Sequence, residues 1–409
     1  MNILLINHYA GSPEYGMEFR PYYMCREWVK SGHHALIIGG SHSHLRKQQP
    51  LKDREVIDGV NYSWVKLNKY NGNGIGRILS MGLFISKLGV NYRKYLNGFI
   101  PDVVIASSTY PLDIYPARRI AKHYGAKLIY EVHDLWPLSP IELGGYSPKH
   151  PFIRVMQKAE DDCYKYVDAV VSMLPKSEPH MIERGLTEGK FYCVPNGIVL
   201  DDWQNPMPLS EPHQSTLCEL HEKGKFVVGF AGAHGIANSL YAAIDAVSGL
   251  KNDNVVFVLV GTGPEKEKLI EYTNQNNIEN VIFLPAINKK MIPSLLKCMD
   301  ALYIGLQRQS LFRFGISPNK LFDYMMASKP VVQAIDAGNN IVEEAQCGLY
   351  AEPDNIDDIR DSILKLKGLS SEARNRLGQN GKEYVLQNHT YGVLAHNFLN
   401  IMTGLINTK

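Results

Sequence analysis

Short apolar runs recur along the chain, separated by segments whose apolar positions return every three or four residues. Residues 2–8, 35–38, 102–106, 127–131, 168–172 and 191–194 read as buried strands, with helices over Arg20–Lys30 and 112–123 between them. Pro195-Asn196-Gly197 marks a turn, and residues 201–225, rich in Pro, Gln, Glu and His, read as a linker. The pattern then restarts with strands at 226–230, 255–260, 281–284, 301–304 and 330–333. After the first of these, Leu240, Ile244, Val247 and Leu250 share one helical face. Strands that alternate with helices need crossover connections, which makes each half an α/β, doubly wound parallel sheet. The expected organisation is a Rossmann-like domain over 1–199, a second over 200–382, and a helix over 383–409 that returns to the first.

A chain of 409 residues exceeds one ordinary core, in keeping with two domains. With 45% apolar and 21% charged residues, the composition is that of a globular protein and excludes a disordered or fibrous one. No apolar run is long enough to span a bilayer. Met1 to His8 lacks a basic leader and a cleavage site, so it reads as a first strand rather than a signal peptide. The six cysteines are scattered without a Cys-x-x-Cys pair, so buried thiols are expected, and a cytoplasmic protein. Net charge is only +2, yet Arg46 to Lys94 holds ten Lys or Arg against three Asp or Glu. That asymmetry points either to an anionic partner for the first half or to a solvated basic face.

In open parallel sheets, ligands sit beyond the carboxyl ends of the strands, so the loops there carry the chemistry. The first such loop runs from Ala10 to Arg20 and includes Gly16, Met17 and Glu18. It is neither a dinucleotide fingerprint nor a Walker loop. Next, Tyr130-Glu131-Val132-His133-Asp134 places His133 just past a buried strand, where a neutral imidazole can hydrogen-bond a reacting hydroxyl. Asp134 would orient that ring or hold the backbone.

The strongest local signal is Ser317-Pro318-Asn319-Lys320, a turn that opens a helix with a cation at its start and so suits a phosphate. Asp323 follows one helical turn later and could accept ribose hydroxyls, while Arg308 and Arg313 add charge nearby. Gly261-Thr262-Gly263, together with Gly232, His234 and Gly235, form further strand-end turns able to touch a diphosphate. There is no Asp-x-Asp, so a metal clamp is not expected, and positive side chains and helix dipoles would neutralise a leaving diphosphate. His42 and His44 form an isolated His-x-His that does not read as a metal site.

On these residues the chain resembles the retaining GT-B glycosyltransferases of family 4. The match is carried by the loop ending Gly16-Met17-Glu18, by Val132-His133-Asp134, Pro195-Asn196-Gly197 and Gly261-Thr262-Gly263-Pro264, and by Ser317 to Val332. Within the family, residues 7–13, 17–23 and 317–324 are most similar to bacterial transferases of N-acetyl-L-fucosamine in O-antigen and capsule assembly. The resemblance implies two Rossmann-like domains facing across a cleft, with acceptor bound by the first and donor nucleotide by the second. It places His133 at the donor sugar, the Ser317–Lys320 turn at the diphosphate and Asp323 at the ribose, and with the acceptor in the first domain Gly16, Met17, Glu18 and Arg20 of the first loop are expected to bind it. It also implies front-face substitution with the diphosphate as base, a UDP-sugar donor, no cofactor, and a polyprenyl-diphosphate-linked saccharide acceptor. The chain departs from the family at Gly315, where many members carry an acid that binds sugar hydroxyls. It departs again in Gly232–Ser239, which lacks the usual Arg and Lys.

Such an acceptor lies at the inner leaflet. Residues 76–96 set Ile78, Leu79, Leu83, Phe84, Leu88 and Tyr95 beside Arg77, Lys87, Arg93 and Lys94. This is either a basic amphipathic helix for peripheral membrane attachment or a core helix with a solvated basic face. Two further readings keep the fold: a nucleotide-sugar 2-epimerase, which would need carboxylates around the sugar, and a non-catalytic sugar-nucleotide-binding partner. The basic stretch lacks the interleaved aromatic platforms of a nucleic-acid binder, so no nucleic acid is expected.

Overall fold

A computed structural model describes residues 1–70, 72 and 74–408. The chain divides into two units, Met1–Asn196 with Tyr391–Lys409, and Gly197–Thr390.

The first unit is built on eight strands: β1 (Asn2–Ile6), β2 (His34–Gly40), β3 (Arg54–Ile57), β4 (Val60–Val65), β5 (Val103–Ala106), β6 (Lys127–Val132), β7 (Ala169–Ser172) and β8 (Phe191–Cys193). Their order in the sheet is β3-β4-β2-β1-β5-β6-β7-β8. All neighbours are parallel except β3 and β4, which form an antiparallel hairpin. The hairpin was not expected. Its turn is Asp58-Gly59, and both residues have positive φ, the conformation a tight two-residue hairpin needs. Residues of β1, β5 and β7 are buried on both faces, which is why those strands read as continuous apolar runs.

The second unit has six strands: β9 (Phe226–Ala231), β10 (Val255–Val260), β11 (Val281–Leu284), β12 (Ala301–Gly305), β13 (Val331–Ala334) and β14 (Gly348–Tyr350). All are parallel, in the order β11-β10-β9-β12-β13-β14. The expected linker over 201–225 is largely helical instead. The helix His213–Glu222 buries Leu217 and Leu220 in the core of this unit, and an apolar pair three residues apart was enough to anchor it.

The helix expected to begin near Glu383 is in fact two. Ser371–Asn388 ends in the second unit, where the His389 ring stacks on Phe322 at 4.0 Å between centroids. Tyr391–Asn407 belongs to the first unit and buries Tyr391, Leu394, Ala395, Phe398, Leu399 and Met402, a single helical stripe. That stripe packs on the helix Arg20–Lys30, where Trp28 Nε1 donates to the Ala395 carbonyl at 3.1 Å and its ring meets Phe398 edge-on.

The basic helix runs from Ile75 to Leu96. Met81, Phe84, Leu88, Tyr92 and Tyr95 face the core. Ile75 and Leu79, at its start, are 76% and 68% exposed. Among the described residues, no helix is long and apolar enough to cross a membrane.

Candidate functional site

In the first unit, the strand-end loops bring His133, Glu131, Ser107, Glu18 and Arg20 together. Glu131 is the penultimate residue of β6 and is buried, a charge inside an apolar strand. Arg20, the first residue of its helix, meets it at 3.0 Å, with both side chains almost wholly enclosed. The same guanidinium donates to the carbonyls of Val194 at 2.8 Å and Pro195 at 2.6 Å. Burial alone would raise the Glu131 pKa. The Arg20 charge and the hydrogen bond from His133 outweigh it and hold the carboxyl at about 2.

Ionised Glu131 orients the histidine. Ser107 Oγ donates to Glu131 Oε2 at 2.6 Å, and His133 Nε2 lies 3.0 Å from Ser107 Oγ and 3.3 Å from Glu131 Oε2. A carboxylate can only accept, so Nε2 carries a proton. The His133 side chain is 5% exposed, and Nδ1 is 3.8 Å from Glu18 Oε2. The loop that delivers Glu18 is pinned by Gly11 N–H donating to Glu18 O and Gly16 N–H to Ser12 O, both at 2.8 Å. Gly16 has φ +98°, which favours glycine.

Asp134 takes the second of its two expected roles, and Arg20 a different one from that expected. Asp134 accepts from Leu135 N–H at 3.0 Å and from Ser139 Oγ at 2.6 Å, so it holds the turn after β6. The orienting group is Glu131. Arg20, expected among the acceptor-binding residues, is a buried partner of that carboxylate. Met17 is exposed beside Glu18.

In the second unit, the loops after β9, β10 and β12 meet at the point where the strand order reverses, between β9 and β12. His234 N–H donates to Thr262 O, Gly232 N–H to Val260 O, and Gln307 N–H to Ala237 O, each at 2.9 to 3.0 Å. The loops are so close that a Cβ on Gly261 would lie 1.9 Å from the Gly232 carbonyl oxygen. Gly235 opens the short turn Ile236–Asn238. Lys320, second in the helix Asn319–Met326, reaches this place. Its Nζ donates to Asn238 Oδ1 at 2.9 Å and sits 4.1 Å from the centre of the Phe230 ring. Burial pushes its pKa down to about 8. The turn before the helix is fixed by Asn339, whose Oδ1 accepts from Ile316 N–H and whose Nδ2 donates to Ile316 O.

In the sequence His234 reads only as part of a turn. Its ring is fully buried, and neither ring nitrogen has a hydrogen-bond partner among the described residues. Burial, with the charges of Lys266 and Lys320, lowers its pKa to about 4, so it is neutral at ordinary pH. Lys266 caps the carbonyls of Gly261 and Leu284 at 2.8 and 2.9 Å.

The other expected cations have partners of their own. Arg308 pairs with Asp336 at 2.6 Å and with Glu352. Arg313 donates to Ser310 O and lies over the Phe314 ring. Asp323 shares the helix with Lys320 but has other neighbours: Trp203, which hydrogen-bonds it, and Lys289 and Asp202, themselves paired at 3.0 Å. Burial lifts the Asp323 carboxyl to about 6 against the pull of Lys289 and Trp203. Among the described residues, no three His, Cys, Asp or Glu side chains gather as metal ligands.

Comparison with known proteins adds to this geometry. Residues 15–202 match the family described as Glycosyltransferase Family 4, and residues 219–384 match Glycosyl transferases group 1. The chain is 22% identical over 222 residues to WcaI of Escherichia coli (strain K12), whose name assigns it to the glycosyl transferases of colanic acid biosynthesis. That similarity covers 54% of each chain, so this chain spans about half the length of that curated relative. Sucrose-phosphate synthase from Thermosynechococcus elongatus has the same fold over 100% of both chains, with a TM-score of 0.73 and 13% identity. HepE of Anabaena, solved with UDP-glucose, covers 99% of this chain and 100% of its own, with a TM-score of 0.65 and 15% identity.

Proposed function

Because the chain belongs to the group 1, family-4 type of glycosyltransferase, with the GT-B fold, we propose that it is a retaining enzyme that takes its sugar from a UDP-sugar. The observation that carries this reading is Lys320, a cation placed by Asn238 and Phe230 at the strand-order reversal beside the Gly232 and Gly261 turns. A diphosphate there would meet one ammonium group and the start of a helix, without a bound metal or other cofactor. HepE, similar in fold, was solved with UDP-glucose, which supports UDP as the base. The donor sugar is N-acetyl-L-fucosamine or a related amino sugar, and the acceptor a polyprenyl-diphosphate-linked saccharide of O-antigen or capsule assembly. The relation to a protein named for colanic acid biosynthesis supports an envelope polysaccharide.

In this reading the second unit holds the nucleotide and the first holds the acceptor. The acceptor hydroxyl attacks the anomeric carbon on the side from which the diphosphate leaves, and the diphosphate takes its proton. His133 Nδ1 accepts a hydrogen bond from a hydroxyl of the donor sugar, with the ring held by Glu131 and Ser107. Calorimetry in EDTA is expected to show UDP binding and weaker GDP binding, and no binding of either would sink the proposal. His133→Ala is expected to lower kcat by roughly 100-fold while leaving UDP affinity within about threefold, read by steady-state kinetics beside calorimetry.

Membrane attachment is peripheral, at the inner leaflet of the plasma membrane. Exposed Ile75 and Leu79 next to a lysine- and arginine-rich stretch support it. The protein is expected to float with vesicles containing phosphatidylglycerol at low salt and to be released by high salt. Retention in the soluble layer at low salt would count against it.

A further inference from the structure

A second group of basic side chains gathers in the first unit. His42, His44 and Arg46 follow β2, and Arg77 stands near the start of the helix Ile75–Leu96. Arg77 Nε donates to Tyr9 Oη at 3.0 Å, and its guanidinium lies 5.2 Å from the centre of the Tyr9 ring and 5.6 Å from that of Trp136. His44 Nδ1 is 3.0 Å from Tyr70 Oη, and His42 Nε2 is 2.9 Å from the Tyr70 carbonyl oxygen. These groups feel one another. Buried His8 is kept neutral first by burial and then by Arg46, Arg77, His44 and His42.

Arg46 makes the cluster unusual. It is 6% exposed, donates from Nη2 to Gly40 O, and lies 4.9 Å from the centre of the Trp64 ring. Its Nε and Nη1, and His42 Nδ1, are buried without a hydrogen-bond partner among the described residues. Glu55, the acid that acts on Arg46, already accepts from Tyr15 Oη and Trp64 Nε1. Buried cations with unmet N–H groups are costly, and crowding four basic groups adds to the cost unless an anion joins them.

We propose that His42, His44, Arg46 and Arg77 form a subsite for the phosphate groups of the acceptor, a phosphate or diphosphate ester. Arg77, held against two rings, has the planar fork that suits phosphate oxygens, and Arg46 supplies fixed charge behind it. The loops after β1, β2 and β6 contribute Tyr9, the two histidines and Trp136, so the cluster lies at the carboxyl ends of the strands. The assignment of the anion to the acceptor rests on the transferase reading above, and the test separates the two.

The whole protein, saturated with UDP, is titrated by calorimetry with inorganic pyrophosphate, farnesyl diphosphate and farnesol. Wild type is expected to bind both anions and not farnesol. The double variant His44→Gln/Arg77→Gln is expected to lose about tenfold or more for both anions, with UDP affinity unchanged. Lys69→Gln, a cation of the same stretch outside the cluster, is expected to leave all three unchanged. If the double variant is unfolded by circular dichroism, partly buried His44→Gln is read alone, with a several-fold loss expected. Tighter binding of farnesyl diphosphate than of pyrophosphate assigns the anion to a lipid ester, and equal binding assigns it to the bare phosphates. No anion binding by wild type, or equal binding by wild type and the folded variant, overturns the subsite. An equal loss in Lys69→Gln also overturns it. Absence of UDP binding overturns only the transferase reading, because the pyrophosphate titration still reports on the cluster.

Discussion

Lys320→Ala is expected to weaken UDP binding by roughly 10- to 100-fold, the loss of one charge-assisted hydrogen bond of about 1.5–3 kcal/mol. The effect should be large because Arg308 and Arg313, the other cations expected to help, are engaged by Asp336 and Glu352 and by Ser310 and Phe314. The helix itself should survive, since alanine favours it and the bonds that Lys320 makes run to Asn238 and Phe230 rather than within the helix. Calorimetry with UDP and uridine separates the contributions, because uridine lacks the diphosphate and should bind both proteins alike. Equal UDP affinity in the two proteins would move the diphosphate away from Lys320.

The same residue predicts a pH dependence. Burial lowers its pKa to about 8, so the free protein loses this charge as pH rises through 8. UDP affinity should therefore fall above pH 8 in wild type. Binding near pH 8 should also take up a proton, since an adjacent diphosphate favours the ammonium form. Calorimetry in buffers of different ionisation enthalpy measures that uptake, which Lys320→Ala should abolish.

The parallel sheets were legible because β1, β5, β7, β9, β10 and β13 are buried on both faces and therefore unbroken in their apolar character. The β3–β4 hairpin was not legible despite its Asp58-Gly59 turn, because β3 is four residues long and buries only Ile57. The helix His213–Glu222 has only two buried leucines and one buried histidine, too thin a stripe to stand out from a polar segment. Among the candidate residues of the two units, the turn positions of His133 and Lys320 showed in sequence, whereas their partners did not. Ser107 and Glu131 are 24 residues apart, and Arg20 is 111 from Glu131. The available signal was a carboxylate inside the apolar run Leu128-Ile129-Tyr130-Glu131-Val132, which a buried strand tolerates only when the charge is paired. Asp134, next to His133 in sequence, was the nearer candidate and proved to serve the backbone.

Glu131→Ala is expected to be the most destabilising single change in the first unit, by about 3–5 kcal/mol, because it leaves the enclosed Arg20 guanidinium without its counter-ion. Arg20 would keep the carbonyls of Val194 and Pro195, which cannot neutralise it. Urea unfolding followed by circular dichroism should show the loss. The double variant Arg20→Met/Glu131→Leu should recover much of it, since replacing both ions removes the unpaired charge. The linkage to pH has a definite sign. The Glu131 carboxyl titrates at about 2 in the folded chain against an ordinary 4.5, so the unfolded chain binds the extra proton first. Its contribution is complete above pH 4.5 and is lost as pH falls from there towards 2. Wild type should therefore lose stability more steeply across that window than Glu131→Ala. His133 tests the same network from the other side. In Glu131→Gln the amide has no charge to hold the Nε2 proton and can also present its NH2, so a protein that stays folded should lose turnover while keeping UDP affinity. An unfolding midpoint unmoved in Glu131→Ala, or acid sensitivity equal to wild type, would show that the Arg20–Glu131 pair holds neither the fold nor the histidine.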